Sequence, residues 1–307
     1  MNTTFMISGG AGKVICAIPA LEKFARLNPD NDFRVVIPAW DSLYWGNPVL
    51  QSRTFNVDHK GLFDHVIKNN KLVVPEPYHL HSYYNQKKTL IEAFDESINN
   101  TNDHSDLTKP NLYISTKEDL QGASVINKLH EQHGKKKVIV FQPYGRGMSA
   151  IDGIPFDQST RSIMPSMALT MSTELSKYAV VVYFGDKEFM HPTDKSMVHI
   201  EDGGTGLRMY LSLIKHCDYF IGCDSIGQHI ARSFNKPGTV IMGATSESQV
   251  SYPDHFNIVR NGVPPAHNPY GIAGWEGGLI DILNQDTMTF TDEQIDNILY
   301  SIVAEMI

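Results

Sequence analysis

The chain has 307 residues, 41% of them hydrophobic and 20% charged, with a net charge of −8. That length supports two domains with separate cores, and the acidity argues against a protein whose main task is gripping nucleic acid along a basic face. Cys16, Cys217 and Cys223 are too few and too scattered for a disulfide framework or a zinc site, and they read as small buried hydrophobes.

The predicted elements alternate from the start. Residues 5–8 are a short apolar run, broken by Gly9, Gly10 and Gly12. From Val14 onward the positions Val14, Ile18, Leu21, Phe24, Ala25 and Leu27 follow helical spacing. A phosphate loop of the Gly-x-x-x-x-Gly-Lys-Ser/Thr kind fits at Gly12 and Lys13. It fails at Ile7, where the first glycine belongs, and at Val14, where the hydroxyl belongs. A dinucleotide fingerprint, Gly-x-Gly-x-x-Gly, fits Gly10 and Gly12 and fails at Ile15. What is left is a βα turn that either admits another molecule close to the backbone and helix amino terminus or is a tight turn and nothing more.

Further along, FRVVI at 33–37 reads as a buried strand, 65–67 and 72–74 as short strands, 89–98 as a helix, 112–115 as a strand and 123–133 as a helix. After Gly134 the pattern restarts. Strands are predicted at 137–141, 178–184, 197–200, 218–222 and 239–242, with helices at 166–177, 207–216, 228–234 and 291–306. Near-continuous apolar strands alternating with helices mean parallel sheets covered on both faces. The expected class is α/β with two Rossmann-like domains, 1–134 and 135–290, and a terminal helix at 291–307 packing back on the first. Ligands of such sheets bind at the carboxyl ends of the strands, so residues just after strands are the candidates.

After the 137–141 strand, Gly145, Arg146, Gly147 and Ser149 offer a flexible loop with a cation, and Arg161 stands just before a helix. The set suits a phosphate or diphosphate, or it is a surface loop whose arginines pair with local acids. After 218–222, Asp224 and Ser225 can cap the next helix, Gly227 lets a ligand near its first amides, and His229 lies in its first turn. Ordinary capping and a core histidine account for the same residues. The segment 201–206, headed by Glu201, and residues 185–187 offer groups for sugar hydroxyls or phosphate, or are mere connections. His79 and His81 would share one face of a strand, at a spacing metals use, but no third ligand is close in sequence. Trp40, Trp45, Tyr83 and Tyr84 either stack on sugar or base faces or are core.

Three segments together resemble glycosyltransferase family 9, the ADP-heptose:lipopolysaccharide heptosyltransferases and their relatives. They are GGAGKVICAIPAL at 9–21, VFQPYGRG through RSIMP within 140–165, and FIGCDSIGQHIARSFNKPGTVIMGAT at 220–245, the most specific of the three. The resemblance implies the GT-B fold, two Rossmann-like domains facing a central cleft, the first binding an acceptor and the second a nucleotide-diphosphate sugar. It implies Gly145, Arg146, Arg161, Glu201, Asp224, Ser225, Ile226, Gly227 and His229 as donor-binding residues, with Arg161 in place of the family's diphosphate-contacting lysine. It also implies Gly10, Ala11, Gly12 and Lys13 as an acceptor and leaving-group loop, with Lys13 and Asp224 catalytic.

The chain departs from that pattern in places. Lys13 stands where the family carries an aspartate thought to act as general base, and a lysine cannot readily take the acceptor's proton. It would instead steady the departing diphosphate or an anionic acceptor group. The glycine after Asp224 is displaced by one residue, and Met164 replaces a tryptophan. Asp41, Asp58 and Asp64 are the candidates for the base. The expected activity is inverting, metal-independent sugar transfer, without a cofactor beyond the nucleotide-sugar co-substrate. The expected acceptor is a glycan, a lipid-linked glycan or a modified nucleobase. The alternatives are a transferase acting on a modified base in DNA and a catalytically inactive sugar-nucleotide or glycan-binding relative. No run of the sequence is long enough to span a bilayer and the start lacks the pattern of a signal peptide, so the expected location is cytoplasmic, without stable membrane insertion.

Overall fold

The computed structural model describes residues 2–134, 136–145, 147–151, 154–157, 159–184, 197–200, 202–265 and 284–306. They fall into two compact units that part between Ser115 and Thr116.

The first unit runs β1 (Thr3–Met6), α1 (Ala11–Cys16), α2 (Ile18–Leu27), β2 (Arg34–Ile37), β3 (Thr54–Asn56), β4 (Lys71–Val73), α3 (His81–Tyr84) and α4 (Leu90–Asn99). Its four strands are parallel in the order β3-β2-β1-β4, with Phe5 opposite Val35 on one side and Val73 on the other. Phe5, Phe24 and Phe33 meet edge to face, at centroid distances of 4.8, 5.4 and 6.0 Å, and form the apolar contact between sheet and α2. A capping box starts α4. Thr89 accepts from the amide of Glu92, whose carboxylate accepts from the amide of Thr89. Residues 65–67 are not a strand but part of a helical turn, Phe63–Ile67. The amide of Lys68 closes it on the Phe63 carbonyl at 2.7 Å, and the Thr4 hydroxyl donates to the Val66 carbonyl at 2.6 Å. The segment therefore covers the sheet instead of joining it. Residues 112–115 belong to no strand either.

The second unit runs α5 (Thr116–Gln132), β5 (Val138–Gln142), β6 (Met148–Ile151), β7 (Ile154–Asp157), α6 (Pro165–Ser176), β8 (Val180–Phe184), β9 (Met197–Ile200), α7 (Asp202–His216), β10 (Tyr219–Cys223), α8 (Ile226–Ser233), β11 (Gly238–Ile241), α9 (Glu247–Val250), β12 (Asn257–Val259), α10 (Asn284–Met288) and α11 (Asp292–Met306). Six strands are parallel in the order β12-β11-β10-β5-β8-β9. The inner strands β5 and β10 are buried along their whole length, as runs covered on both faces must be. All three cysteines are buried and reduced.

Two boundaries differ from the sequence reading. α5, expected in the first domain, packs on α7 of the second unit. Glu118 takes a two-pronged salt bridge from Arg208 at 2.8 Å per contact, and its carbonyl accepts from the Ser212 hydroxyl at 2.6 Å. α11 belongs to the second unit. Ile295, Ile298, Leu299 and Ile302 enter the core of the second, beside Met167, Met171 and Leu175 of α6. Helical periodicity fixes which face of these helices is buried but not the element it is buried against.

Numbered in order of appearance within its sheet, the second unit reads 3-2-1-4-5-6 and the first reads 3-2-1-4. In each, the winding direction reverses at one place, between β5 and β10 and between β1 and β4. Loops leaving the carboxyl ends of the strands diverge there, and open parallel sheets bind ligands in the resulting crevice.

Candidate active site

At the β5–β10 reversal the central side chain is Gln142, 8% exposed at the end of β5. Its amide nitrogen donates to the Tyr144 carbonyl at 3.3 Å and to the Ser225 hydroxyl at 3.2 Å. Its oxygen accepts from Gly227 N and from the Tyr210 hydroxyl, both at 2.9 Å. Gln142 thus ties the loop after β5 to the first turn of α8. Sequence reasoning passed over it, because a glutamine ending an apolar strand carries no motif.

Asp224 lies just beyond β10 with a side chain 5% exposed, and Arg161 approaches it to 4.0 Å with a side chain 36% exposed. Among the described residues, the carboxylate also accepts from Gln228 Nε2 at Oδ1 and from Thr245 Oγ1 at Oδ2, each at 2.8 Å. Gln228 in turn accepts from the Ser251 hydroxyl at 2.6 Å. A buried carboxylate is tolerated only when hydrogen-bonded and paired in this way. Its charge faces the guanidinium, which keeps a solvent-facing share.

The loop that presents Arg161 is organised by Asp157, 1% exposed. One carboxylate oxygen accepts from Ser159 N and Oγ at 2.7 and 2.5 Å, and the other from Arg161 N and Ser162 N at 3.3 and 2.7 Å. Ser162 Oγ then accepts from the amide of Gly145 at 3.0 Å. The segment after Gly145 is less of a free loop than the sequence suggested, since β6 and β7 form an antiparallel hairpin with Met148 opposite Asp157. Asp157 was another residue missed; an Asp-x-Ser triplet before the arginine was its only signal.

Several expected roles change. Neither Asp224 nor Ser225 caps α8 with its side chain. Ser225 is the N-cap residue in extended backbone and makes no capping bond, and Ile226 is the first helical residue. Gly227 does not open the helix to a ligand. A Cβ there would meet Gln142 Oε1 at 2.3 Å and both Phe220 Cζ and Tyr210 Oη at 2.7 Å, so the glycine admits neighbouring side chains. His229 is 4% exposed and its Nδ1 meets the Tyr252 hydroxyl at 2.9 Å. Burial pushes its pKa down to about 4, against a smaller opposing pull from Asp224, so the ring is neutral near pH 7. Arg146, Glu201 and residues 185–187 lie outside the described residues.

At the β1–β4 reversal the glycine turn has a different occupant from the one expected. Gly9 has φ +107, and a Cβ there would meet Lys13 Cδ at 2.8 Å. The lysine side chain runs back across that turn, 7% exposed, to Glu76, three residues beyond β4. Its Nζ reaches Oε1 at 2.8 Å and Oε2 at 2.7 Å, and lies 4.7 Å from the centre of the Tyr78 ring. The charge expected to steady a diphosphate is therefore committed to a carboxylate. Gly10 is exposed, Ala11 is buried at the start of α1 and Gly12 half-buried within it. Of the acids suggested as a base, Asp41 accepts from Asn56 Nδ2 at 3.0 Å and Asp64 pairs with Lys68 at 3.6 Å, while Asp58 is exposed. None of the three leaves a strand at the reversal. Glu76 does, and no local motif marks it, since it follows a strand only three residues long.

His79 and His81 stand on two short helical turns, not on one strand face, and His81 Nδ1 meets the Tyr84 hydroxyl at 3.1 Å. Tyr83 is core, whereas Trp45 is half exposed. Among the described residues no group of three histidine, cysteine or acidic side chains could hold a metal ion. Also among them, no helix is long and apolar enough to cross a membrane.

No family model matches the sequence, and no curated protein sequence matches it. Solved structures do match. A family 9 glycosyltransferase from Veillonella parvula superposes with a TM-score of 0.69 at 13% identity, over 99% of this chain and 97% of that one. The fold is that of the family 9 glycosyltransferases. The iron-containing dodecameric glycosyltransferase TibC from enterotoxigenic E. coli gives 0.63 at 13% identity, over 99% and 76% of the two chains. The E. coli heptosyltransferase WaaC, solved with ADP, gives 0.54 at 9%, over 84% and 92%. Two Rossmann-like parallel sheets, the fold class read from the sequence, are thus the architecture shared with this family.

Proposed function

We propose that the chain is a glycosyltransferase moving a sugar from a nucleotide-diphosphate donor to an acceptor hydroxyl with inversion. The observation that carries the reading is the Arg161–Asp224 pair at the β5–β10 reversal, in a fold shared with family 9 glycosyltransferases. A nucleoside diphosphate is a planar-fork target for a guanidinium, and the WaaC neighbour was solved with ADP. In this reading the donor's diphosphate rests on Arg161 and on the Ser225 and Ile226 amides that open α8. Asp224 aims the guanidinium, and the negative charge that grows on the leaving diphosphate is met by fixed donors without a metal. The acceptor is a glycan or a lipid-linked glycan.

Titration of the protein with ADP-, UDP- and GDP-sugars, followed by calorimetry and thermal shift, tests the reading. Binding of at least one donor is expected, weakened about 10- to 100-fold in Arg161→Ala, the loss of a charge-assisted contact. Absence of binding by every donor sinks it.

A further inference from the structure

The Arg161–Asp224 pair is only as exact as the two backbones that carry it, and these leave different strands, β7 and β10. We infer that Arg260 is a positioning residue for the pair, acting through the loop that follows β11; the inference rests on the donor reading above. Every group involved belongs to the second unit. The loop, residues 243–247, is tied to both members of the pair. The Thr245 hydroxyl donates to Asp224 Oδ2 at 2.8 Å, and the amide of Ala244 donates at 3.4 Å to the carbonyl of Thr160, one residue before Arg161. Thr160 is 2% exposed and has φ +56, a left-handed conformation that β-branched residues avoid and that persists only where the surroundings impose it. Gly243 lets the loop lie this close, since a Cβ there would meet the same Thr160 carbonyl at 2.4 Å.

Arg260 follows β12 directly and holds the loop by three groups. Its Nη1 donates to the Gly243 carbonyl at 2.5 Å and its Nη2 to the Thr245 carbonyl, while Nε and Nη2 reach Glu247 Oε2 at 2.8 and 2.6 Å. A loop leaving a sheet loses the ladder partners of its carbonyls, and one guanidinium supplies donors to two of them at once. The arginine side chain is 16% exposed and its charge is met by Glu247, so its part is to hold the loop rather than to bind phosphate. None of its described hydrogen bonds or ion pairs reaches Arg161 or Asp224. Its route to both runs through Gly243, Ala244 and Thr245. A lysine is a point charge without the fork and cannot serve two carbonyls and a carboxylate in these directions.

The test is a double-mutant cycle on the full chain. It reads affinity for whichever ADP-, UDP- or GDP-sugar the wild type binds, by calorimetry well below each melting transition. Arg260→Lys should weaken donor binding about 5- to 20-fold, through a displaced Arg161. In the Arg161→Ala background the same change should alter affinity by less than about 2-fold, because the contact it positions is already gone. An arginine that served stability alone would lower the melting temperature in both backgrounds and leave donor affinity in place. Thr245→Val cuts the loop's tie to Asp224 while Arg260 stays. It should repeat the pattern, and it decides the question if Arg260→Lys does not fold. Donor affinity of Arg260→Lys within about 2-fold of wild type overturns the inference and leaves the donor site standing. So does an equal loss of affinity with and without Arg161. A wild type that binds no donor overturns both readings.

Discussion

His229 shows how burial decides what a residue type means. An imidazole two residues after Gly227 looks like a proton carrier, yet desolvation holds its pKa near 4, well below the ordinary 6.5. The consequence is a stability term with a defined sign. Below about pH 6.5 the unfolded chain takes a proton at this residue and the folded chain does not, so stability falls as pH drops and levels off below about 4. The span is of the order of 3 kcal/mol. His229→Gln should flatten the melting temperature against pH between 6.5 and 4, measured relative to the wild type. An unchanged slope would mean that the ring is not buried neutral. Arg161 and Asp224 show the opposite case, where a charge survives near the interior because its partners are fixed around it.

At the scale of elements, the loops after the strands are held by buried side chains that look unremarkable in the sequence. Asp157 ties down the backbone that presents Arg161, and Gln142 locks the start of α8. Asp157→Ala should therefore leave the Ser162 amide without its partner and cost about 1–3 kcal/mol, with donor affinity falling alongside, in denaturation and binding measurements on the same protein. Gly227→Ala is expected to be as harmful. Its methyl would sit 2.3 Å from Gln142 Oε1, and relief demands that the Gln142, Phe220 and Tyr210 side chains shift out of their packing and hydrogen bonds, at about 1–3 kcal/mol. Wild-type affinity and melting temperature in Gly227→Ala would contradict the packing described.

On the scale of the whole molecule, two sheets have two cores, and a substitution should register in the core it damages. Phe94 and Phe141 are both fully buried, the first on α4 and the second on β5, one residue before Gln142. Each change to alanine should cost about 3–5 kcal/mol. Phe141→Ala should also weaken donor binding, measured well below the melting transition, whereas Phe94→Ala should leave it within about 2-fold. Equal effects on donor affinity would argue against a donor site carried by the second unit. The first unit has a further polar anchor, Asp95, fully buried against Lys23 at 3.0 Å and His104 at 2.7 Å. Asp95→Ala leaves that lysine short of a partner and should cost about 3 kcal/mol.

The apolar runs by themselves determined most of the strands, the parallel sheets and the α/β class, because a strand buried on both faces must be continuously apolar and that leaves a local trace. They also marked the turn after β1 and the segment from Asp224 to His229 as the places to look. Only the tertiary structure decided who meets whom. That α5 and α11 pack in the second unit depends on side chains some 90 residues away or in another helix. That Lys13 is spent on Glu76, and Gly227 on Gln142, depends on partners 63 and 85 positions distant. Local spacing carries no record of contacts closed over such lengths, since they arise only when the sheets bring the ends of non-consecutive strands side by side.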